Sequence, residues 1–191
     1  MSLIKSISGI RGTIGGRSGE NLSPLDLVAF LSAYSRQLRY KFPDIKELSV
    51  VLGRDGRISG PLLHQLAASV LCLNGISVLD VDLAATPTVE MAVIKEKAHG
   101  GIILSASHNP RQWNALKLLN EKGEFLSAED GEAVLAMADD HDFNYADVDS
   151  LGREIKINDA LESHIRSILA LKLVKAVEIA RSDFKVVVDG I

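Results

Sequence analysis

"TPTVEMAVIKEKAHGGIILSASHNP", residues 86–110, contains the transition that decides the fold. Thr86 in capping position and Pro87 at the first helical position predict a helix over residues 86–97. The glycines that follow lead into "GGIILSAS", a short apolar run that reads as a buried strand. The run then ends in Ser-His-Asn-Pro, a polar corner that no strand needs.

The same alternation continues outward in both directions. Residues 48–55 predict a strand, residues 59–75 a helix closed by Asn74-Gly75, and residues 76–82 a second strand. Further upstream, residues 22–42 predict a helix: Ser23 caps it, Pro24 opens it, Asp26 sits in the first turn, and Leu27, Phe30, Leu31, Tyr34 and Leu38 form one apolar stripe. Downstream, residues 114–126 predict a strand and a turn at Lys122-Gly123, close enough to pair antiparallel with the strand before it. Residues 127–137 predict another helix, and residues 139–149 an acidic surface loop. A helix over residues 158–175, capped by Asn158, carries Leu161, Ile165, Ile168 and Leu169 on one face. "FKVVVDGI" (residues 184–191) predicts a strand whose partners would lie beyond Ile191.

Alternating strands and helices define an α/β protein, here a three-layer α/β/α domain with a mixed, mainly parallel sheet, followed by the start of a second similar domain. The expected division is a first domain over residues 1–150, a linker and connecting helix over 151–183, and the first strand of domain II over 184–191. With 191 residues, 47% hydrophobic and 24% charged, the chain has the composition of a globular protein with a sizeable core, which excludes a disordered or fibrous class. A net charge of -4 argues against nucleic-acid and membrane-surface partners but leaves room for a local basic pocket. Cys72 is the single cysteine, the N-terminus lacks a signal-peptide pattern, and no stretch approaches the roughly 20 apolar residues of a membrane span. A cytoplasmic location is expected.

In an open α/β sheet, ligands bind at the carboxyl ends of the strands. Four corners there suit an oxyanion: "SGIRGTIGGRSG" (8–19), "GRDGRISG" (53–60), "ATPT" (85–88) and "SASHNP" (105–110). Glycines let backbone N–H groups approach, arginines supply forked donors, and helix starts supply a positive dipole end. Singly they say less. The glycine-rich stretch fits neither the P-loop nor the dinucleotide fingerprint, "GRDGR" reads equally as an Arg-Asp pair bracing a tight loop, and "ATPT" reads as a helix cap.

The serine corner carries most of the signal. Strand alternation would put Ile103, Ser105 and Ser107 on one face, with the Ser107 hydroxyl emerging at the strand end toward the ligand. His108-Asn109-Pro110 adds a proton carrier, an amide and a rigid turn. Such a hydroxyl suits a covalent nucleophile or a phosphate carrier, and no Gly-x-Ser-x-Gly elbow supports a hydrolase. Lys117 interrupts an apolar run between Leu116 and Leu118, placed to neutralise charge and move protons beside the serine. Several other residues are assigned no chemistry. The acidic 139–149 stretch lacks cation-loop spacing; His64, His99, His141 and His164 lack sequence partners; Cys72 reads as core; and Trp113 flanks the serine corner without a defined part.

In these residues the chain resembles the α-D-phosphohexomutase family, comprising phosphoglucomutases, phosphomannomutases and phosphoglucosamine mutases. The resemblance rests on "SGIRG", "GRDGRISGP", "TPT", "GIILSASHNP" with Lys117 after it, and "FKVVVDG", in family order across essentially the whole chain. It implies that Ser107 carries the phosphoryl group, with His108 and Lys117 at matching positions beside it. Arg11 matches the arginine of the N-terminal loop, which with the lysine assists proton transfer, and Arg11, Asn109 and Lys117 fall among the phosphate-binding positions. The implied reaction passes phosphate from Ser107 to a hexose phosphate substrate, turns the bisphosphate over, and returns the other phosphate to the serine.

A hexose bisphosphate activator and Mg2+ are implied as cofactors. The metal would be bound through the Ser107 phosphate and by aspartates of a second domain that this chain does not contain. Domains II–IV are therefore implied partners, the chain is expected to be an N-terminal fragment, and the fragment alone is not expected to turn over. Ala115 stands where the family has glycine, so a different turn is expected there. "SASHNP" leans toward the phosphoglucosamine mutases. The alternative is a stand-alone phosphosugar-binding module without turnover.

Overall fold

Strands β3 (Leu48–Arg54), β4 (Ile76–Leu83) and β5 (Gly100–Leu104) are rich in Val, Ile and Leu on both faces, the pattern of strands covered on both sides. In the computed structural model, which describes residues 2–6 and 9–189, they pair in parallel with β3 at the centre. Four further strands complete one sheet: β1 (Ile4–Ser6), β2 (Gly9–Thr13), β6 (Trp113–Leu119) and β7 (Glu154–Lys156). The strand order is β1-β2-β6-β5-β3-β4-β7. β1 and β6 run against the rest, so the sheet is mixed and mainly parallel, as the sequence predicts.

Helices α1 (Pro24–Lys41), α2 (Gly60–Leu73) and α4 (Ala128–Asp140) cover one face, packing Leu27, Leu31, Leu71 and Val134 against Val50, Leu52, Ile102 and Leu116. Helices α3 (Thr86–Lys95) and α5 (Ala160–Leu169) lie on the other face, where Val89, Val93 and Ala160 meet Val51, Ile103 and Leu119. A short α6 (Ala176–Arg181) follows. No helix among the described residues is long and apolar enough to cross a membrane.

The predicted stripe on α1 is buried throughout. Ser23 caps the helix and forms a capping box with Asp26. Asp26 also accepts from the Gly19 amide at 2.9 Å and the Ser18 hydroxyl at 3.0 Å, so it fastens the glycine-rich 15–19 loop to the helix start. Burial alone would raise the Asp26 pKa. The hydrogen bonds from Ser23, Gly19 and Ser18 outweigh it and hold the carboxyl below its ordinary 3.8. The resulting stabilisation is present above the unfolded-state pKa and is lost as pH falls through the lower folded value. Asp26→Asn is expected to cost about 1–2 kcal/mol at neutral pH, and urea unfolding as a function of pH should show the gap from the native chain closing below the ordinary carboxylate range.

Tyr34 on α1 is fully buried and donates its hydroxyl to the Leu119 carbonyl at 2.7 Å, with the Gly101 carbonyl at 3.4 Å. Burial pushes its pKa up. The hydroxyl occupies the place where Gly100 lacks a side chain. At the predicted Lys122-Gly123 turn, Gly123 takes φ +73°, the conformation for which glycine is suited.

Several local expectations change. The N-terminal stretch read as a loop is a pair of antiparallel strands, with β2 docked on β6; Ser8 of the "SGIRG" motif lies outside the described residues. The cap of α3 is Ala85, with extended backbone, and Thr86 is already helical because Pro87 fixes the first turn. The helix expected over 158–175 covers only Ala160–Leu169, has Asp159 rather than Asn158 at its cap position, and leaves Leu161, Ile165, Ile168 and Leu169 exposed. The helix read over 127–137 runs on to Asp140, and β7 adds an unforeseen edge strand beside β4.

Residues 184–189 pair with no strand, and Val187 is 95% exposed. A β-branched run becomes a strand only against a partner, and none is offered to it here. Gly190 and Ile191, the end of the same motif, lie outside the described residues.

Candidate functional site

The last ladder bond between β5 and β6 runs from the Ser105 amide to the Ala115 carbonyl at 3.2 Å. Beyond it the chain leaves the sheet. The Asn109 amide closes a turn on the Ala106 carbonyl at 3.0 Å, and the Trp113 amide bonds the Pro110 carbonyl at 2.9 Å before β6 begins. His108-Asn109-Pro110 thus forms the expected corner, but simple alternation does not deliver Ser107. The strand stops at Leu104, and Ser107 sits at φ +54°, in the left-handed region that a serine rarely enters. Its amide donates to the Ser105 hydroxyl at 3.1 Å.

Lys117 reaches the serine directly: its Nζ donates to the Ser107 Oγ at 2.8 Å. In the ladder, Lys117 stands opposite Ile103, and Arg11 on β2 stands opposite Ala115. Residues two apart on a strand share a face, so Arg11, Ala115 and Lys117 point to the same side of the sheet. Ala115 belongs to the strand, with no positive φ, so the turn expected from its replacement of glycine does not arise.

These residues line a cavity of about 250 Å³ together with Gly9, Ser105, His108, Asn109 and Phe125. Arg11 and Lys117 give it positive charge, and among the described residues no carboxylate lines it. Among the described residues the side chains of Arg11 and His108 make no hydrogen bond, which leaves their donors for a ligand, whereas the Arg11 backbone is held in the ladder. The arrangement suits a phosphoryl group: two cations, an amide, an imidazole and a hydroxyl already bonded to an ammonium. The volume lies below the roughly 300 Å³ at which small-molecule pockets begin, enough for the phosphate end of a ligand.

All the predicted site residues, Ser107, His108, Asn109, Lys117 and Arg11, therefore meet in one place. Phe125 is an addition that the sequence gives no reason to single out: it comes from the segment after the Gly123 turn and reaches the pocket by bridging back to Leu119. Trp113 is not part of the lining; its carbonyl accepts from Arg57 Nη1 at 3.0 Å. Arg57, in the corner that reads equally as an oxyanion site and as an Arg-Asp brace, does pair with Asp55, Nε to Oδ2 at 3.1 Å, but its remaining donors go to the serine loop. "ATPT" stays apart from the pocket, and Thr88 instead meets His164 Nδ1 at 3.0 Å.

The residues set aside stay outside the site. His64 Nε2 lies 2.9 Å from Asp80 Oδ1 in a buried contact between α2 and β4 whose alignment falls short of a hydrogen bond. Cys72 is half-buried, and burial raises its thiol pKa. A second cavity of about 250 Å³ beside α1 has both its arginines committed, Arg36 to the Asp142 carbonyl and Arg39 to the Gly75 carbonyl. Among the described residues no three His, Cys, Asp or Glu side chains gather to hold a metal ion.

Residues 3–145 match the family described as "Phosphoglucomutase/phosphomannomutase, alpha/beta/alpha domain I". A protein of Methanosphaera stadtmanae named "Probable phosphoglucosamine mutase" is 32% identical over 97% of this chain and 40% of its own length. The "Phosphoglucomutase/phosphomannomutase" of Thermococcus kodakarensis is 36% identical over 62% of this chain and 26% of its own length. Among solved structures, a phosphoglucomutase/phosphomannomutase family protein from Burkholderia thailandensis shares the fold, with a TM-score of 0.70 at 23% identity over 90% of this chain and 38% of that one. The chain spans two fifths or less of the length of these relatives.

Proposed function

Because the chain belongs to the phosphoglucomutase/phosphomannomutase family and carries its alpha/beta/alpha domain I, we propose that it is the catalytic-serine domain of a phosphohexomutase, acting on a hexose phosphate in the cytoplasm. The observation that supports this most is the Lys117 ammonium donating to the Ser107 Oγ at 2.8 Å in a pocket of positive charge.

In this reading the cycle starts once Ser107 carries a phosphoryl group. A hydroxyl of the bound hexose monophosphate attacks the phosphorus; its O–P bond forms as the P–Oγ bond breaks, and the hydroxyl proton passes to a base of the site. Lys117 neutralises charge as it builds on Oγ and is placed to give and take the proton. Arg11 presents forked donors that hold phosphate charge. His108 and Asn109 orient the phosphoryl oxygens. Transfer from the other end of the bisphosphate back to Oγ restores the phosphoserine and releases the isomer. Most of the work is positioning and charge neutralisation.

A hexose bisphosphate serves as activator by charging Ser107 at the outset. Mg2+ belongs to the same reading, but this chain does not by itself fit the ion: the pocket offers cations where the metal needs carboxylates, and the ligands fall to the domains II–IV that the proposal takes as partners. A second reading rests on the cationic pocket of Arg11 and Lys117 alone: residues 1–191 bind phosphosugar without turning it over.

The test is mass spectrometry of the natural gene product that contains this chain after incubation with glucose 1,6-bisphosphate and magnesium. A single added phosphate on Ser107, chased off by glucose 6-phosphate, is the expected result. Phosphate on another residue, or on none, would reject the catalytic-serine reading; binding of glucose 6-phosphate without labelling would favour the module.

A further inference from the structure

We propose that Arg57 is a positioning residue for phosphoryl transfer, a clamp that holds the serine loop in the geometry joining Ser107 to Lys117. The guanidinium has five N–H donors and all five are used. Nε bonds Asp55 Oδ2 at 3.1 Å. Nη1 bonds the carbonyls of Pro110 at 2.9 Å and Trp113 at 3.0 Å, and Nη2 bonds those of Ser107 at 2.7 Å and Asn109 at 2.8 Å. One side chain from the β3–α2 turn therefore gathers four carbonyls of the serine loop.

The consequence for Ser107 is specific. Its backbone is left-handed, a conformation that an L-residue keeps only where its surroundings over-determine it. Its amide is tied to the Ser105 hydroxyl and its carbonyl to Arg57, so the peptide groups on both sides are fixed by side chains. The turn that supplies Arg57 is itself anchored, since the Asp55 amide bonds the Leu104 carbonyl at 3.1 Å at the end of β5, and Asp55 Oδ1 accepts from the Arg57 amide at 3.0 Å. Only a planar fork spans four carbonyls at once; a lysine ammonium is a point with three donors. Arg57 is absent from the pocket lining and has no donor to spare, so it acts on substrate only through the loop.

The effect on rate rests on Ser107 being the phosphoryl acceptor; the effect on loop order does not. The experiment pairs two measurements on the natural gene product carrying Arg57→Lys. Amide hydrogen exchange over residues 107–113 is expected to speed up at least about tenfold, with β3 and α2 unchanged. The rate of Ser107 labelling by glucose 1,6-bisphosphate is expected to fall about a hundredfold, as for a misplacement on the order of 1 Å. The concentration giving half-maximal rate should shift little, because Arg11, Asn109 and Lys117 remain. Unchanged loop exchange together with native labelling would overturn the clamp, and so would a loosened loop that labels at the native rate. If the native protein itself takes no label, the catalytic-serine reading fails while exchange still decides whether Arg57 orders the loop. Should Arg57→Lys fail to fold, Asp55→Asn, which leaves the guanidinium but frees its anchor, is expected to lose protection in the same segment; full protection there would reject the proposal.

Discussion

Ser107→Gly is expected to be inert and slightly more stable than the native chain. The left-handed backbone costs an L-residue about 1–2 kcal/mol relative to glycine. Glycine gives back about 0.5–1 kcal/mol through the greater freedom of its unfolded chain. The hydroxyl's bond to Lys117 is exposed and adds little. The net expectation is a gain of roughly 0.5 kcal/mol in urea unfolding, with Ser107→Ala close to neutral because it keeps the strain and loses only the hydroxyl. Both variants should take up no phosphate from glucose 1,6-bisphosphate. Labelling that survives in either would show that the acceptor is another residue. A Ser107→Gly protein clearly less stable than the native one would show that the serine side chain, rather than the surrounding clamp, holds the loop. A position that gives up stability to present a hydroxyl is what a reactive group on a strained turn predicts.

The second large effect concerns folding rather than chemistry. Gly100→Ala would set a methyl group on the Tyr34 hydroxyl and press on the Leu119 carbonyl to which that hydroxyl donates. Overpacking costs about 1–3 kcal/mol, and a displaced, fully buried phenol without a partner costs about 1–3 more. A loss of about 2–6 kcal/mol is expected, a large part of the roughly 5–15 kcal/mol that holds a domain together. The cause can be isolated. Tyr34→Phe removes the obstructing oxygen, so the double variant should be at least about 1 kcal/mol more stable than the two single losses summed. Simple additivity in that cycle would mean that the methyl group does its damage elsewhere.

The layers were legible because their signals are local and repeated. The capping box at Ser23 and the stripe from Leu27 to Leu38 mark α1, and the apolar runs Val50–Leu52 of β3 and Ile102–Leu104 of β5 mark the centre of the sheet. The N-terminal strands were not. Their glycines read as a loop, and only docking of Gly9–Thr13 onto β6 makes them strands. The Leu161 to Leu169 stripe indicated a longer helix than forms, since periodicity reports a potential face and not whether anything covers it.

At the site, Ser107, His108, Asn109, Lys117 and Arg11 were each recognisable from chemistry or resemblance, and the structure adds that they share one pocket. Arg57 and Phe125 were not legible in the same way. The reach of Arg57 depends on the fold bringing residues about fifty positions apart into contact, and Phe125 arrives by a bridge across a turn.

The two margins of the sheet are short: β1 and β7 have three residues each, and they carry Lys5 at one side and Glu154 and Lys156 at the other. Short, charged borders make poor templates for a foreign strand. The unpaired valines at 186–188 therefore find no ready landing on the sheet of a neighbouring molecule, and crowding in concentrated solution is left to contacts between those segments themselves.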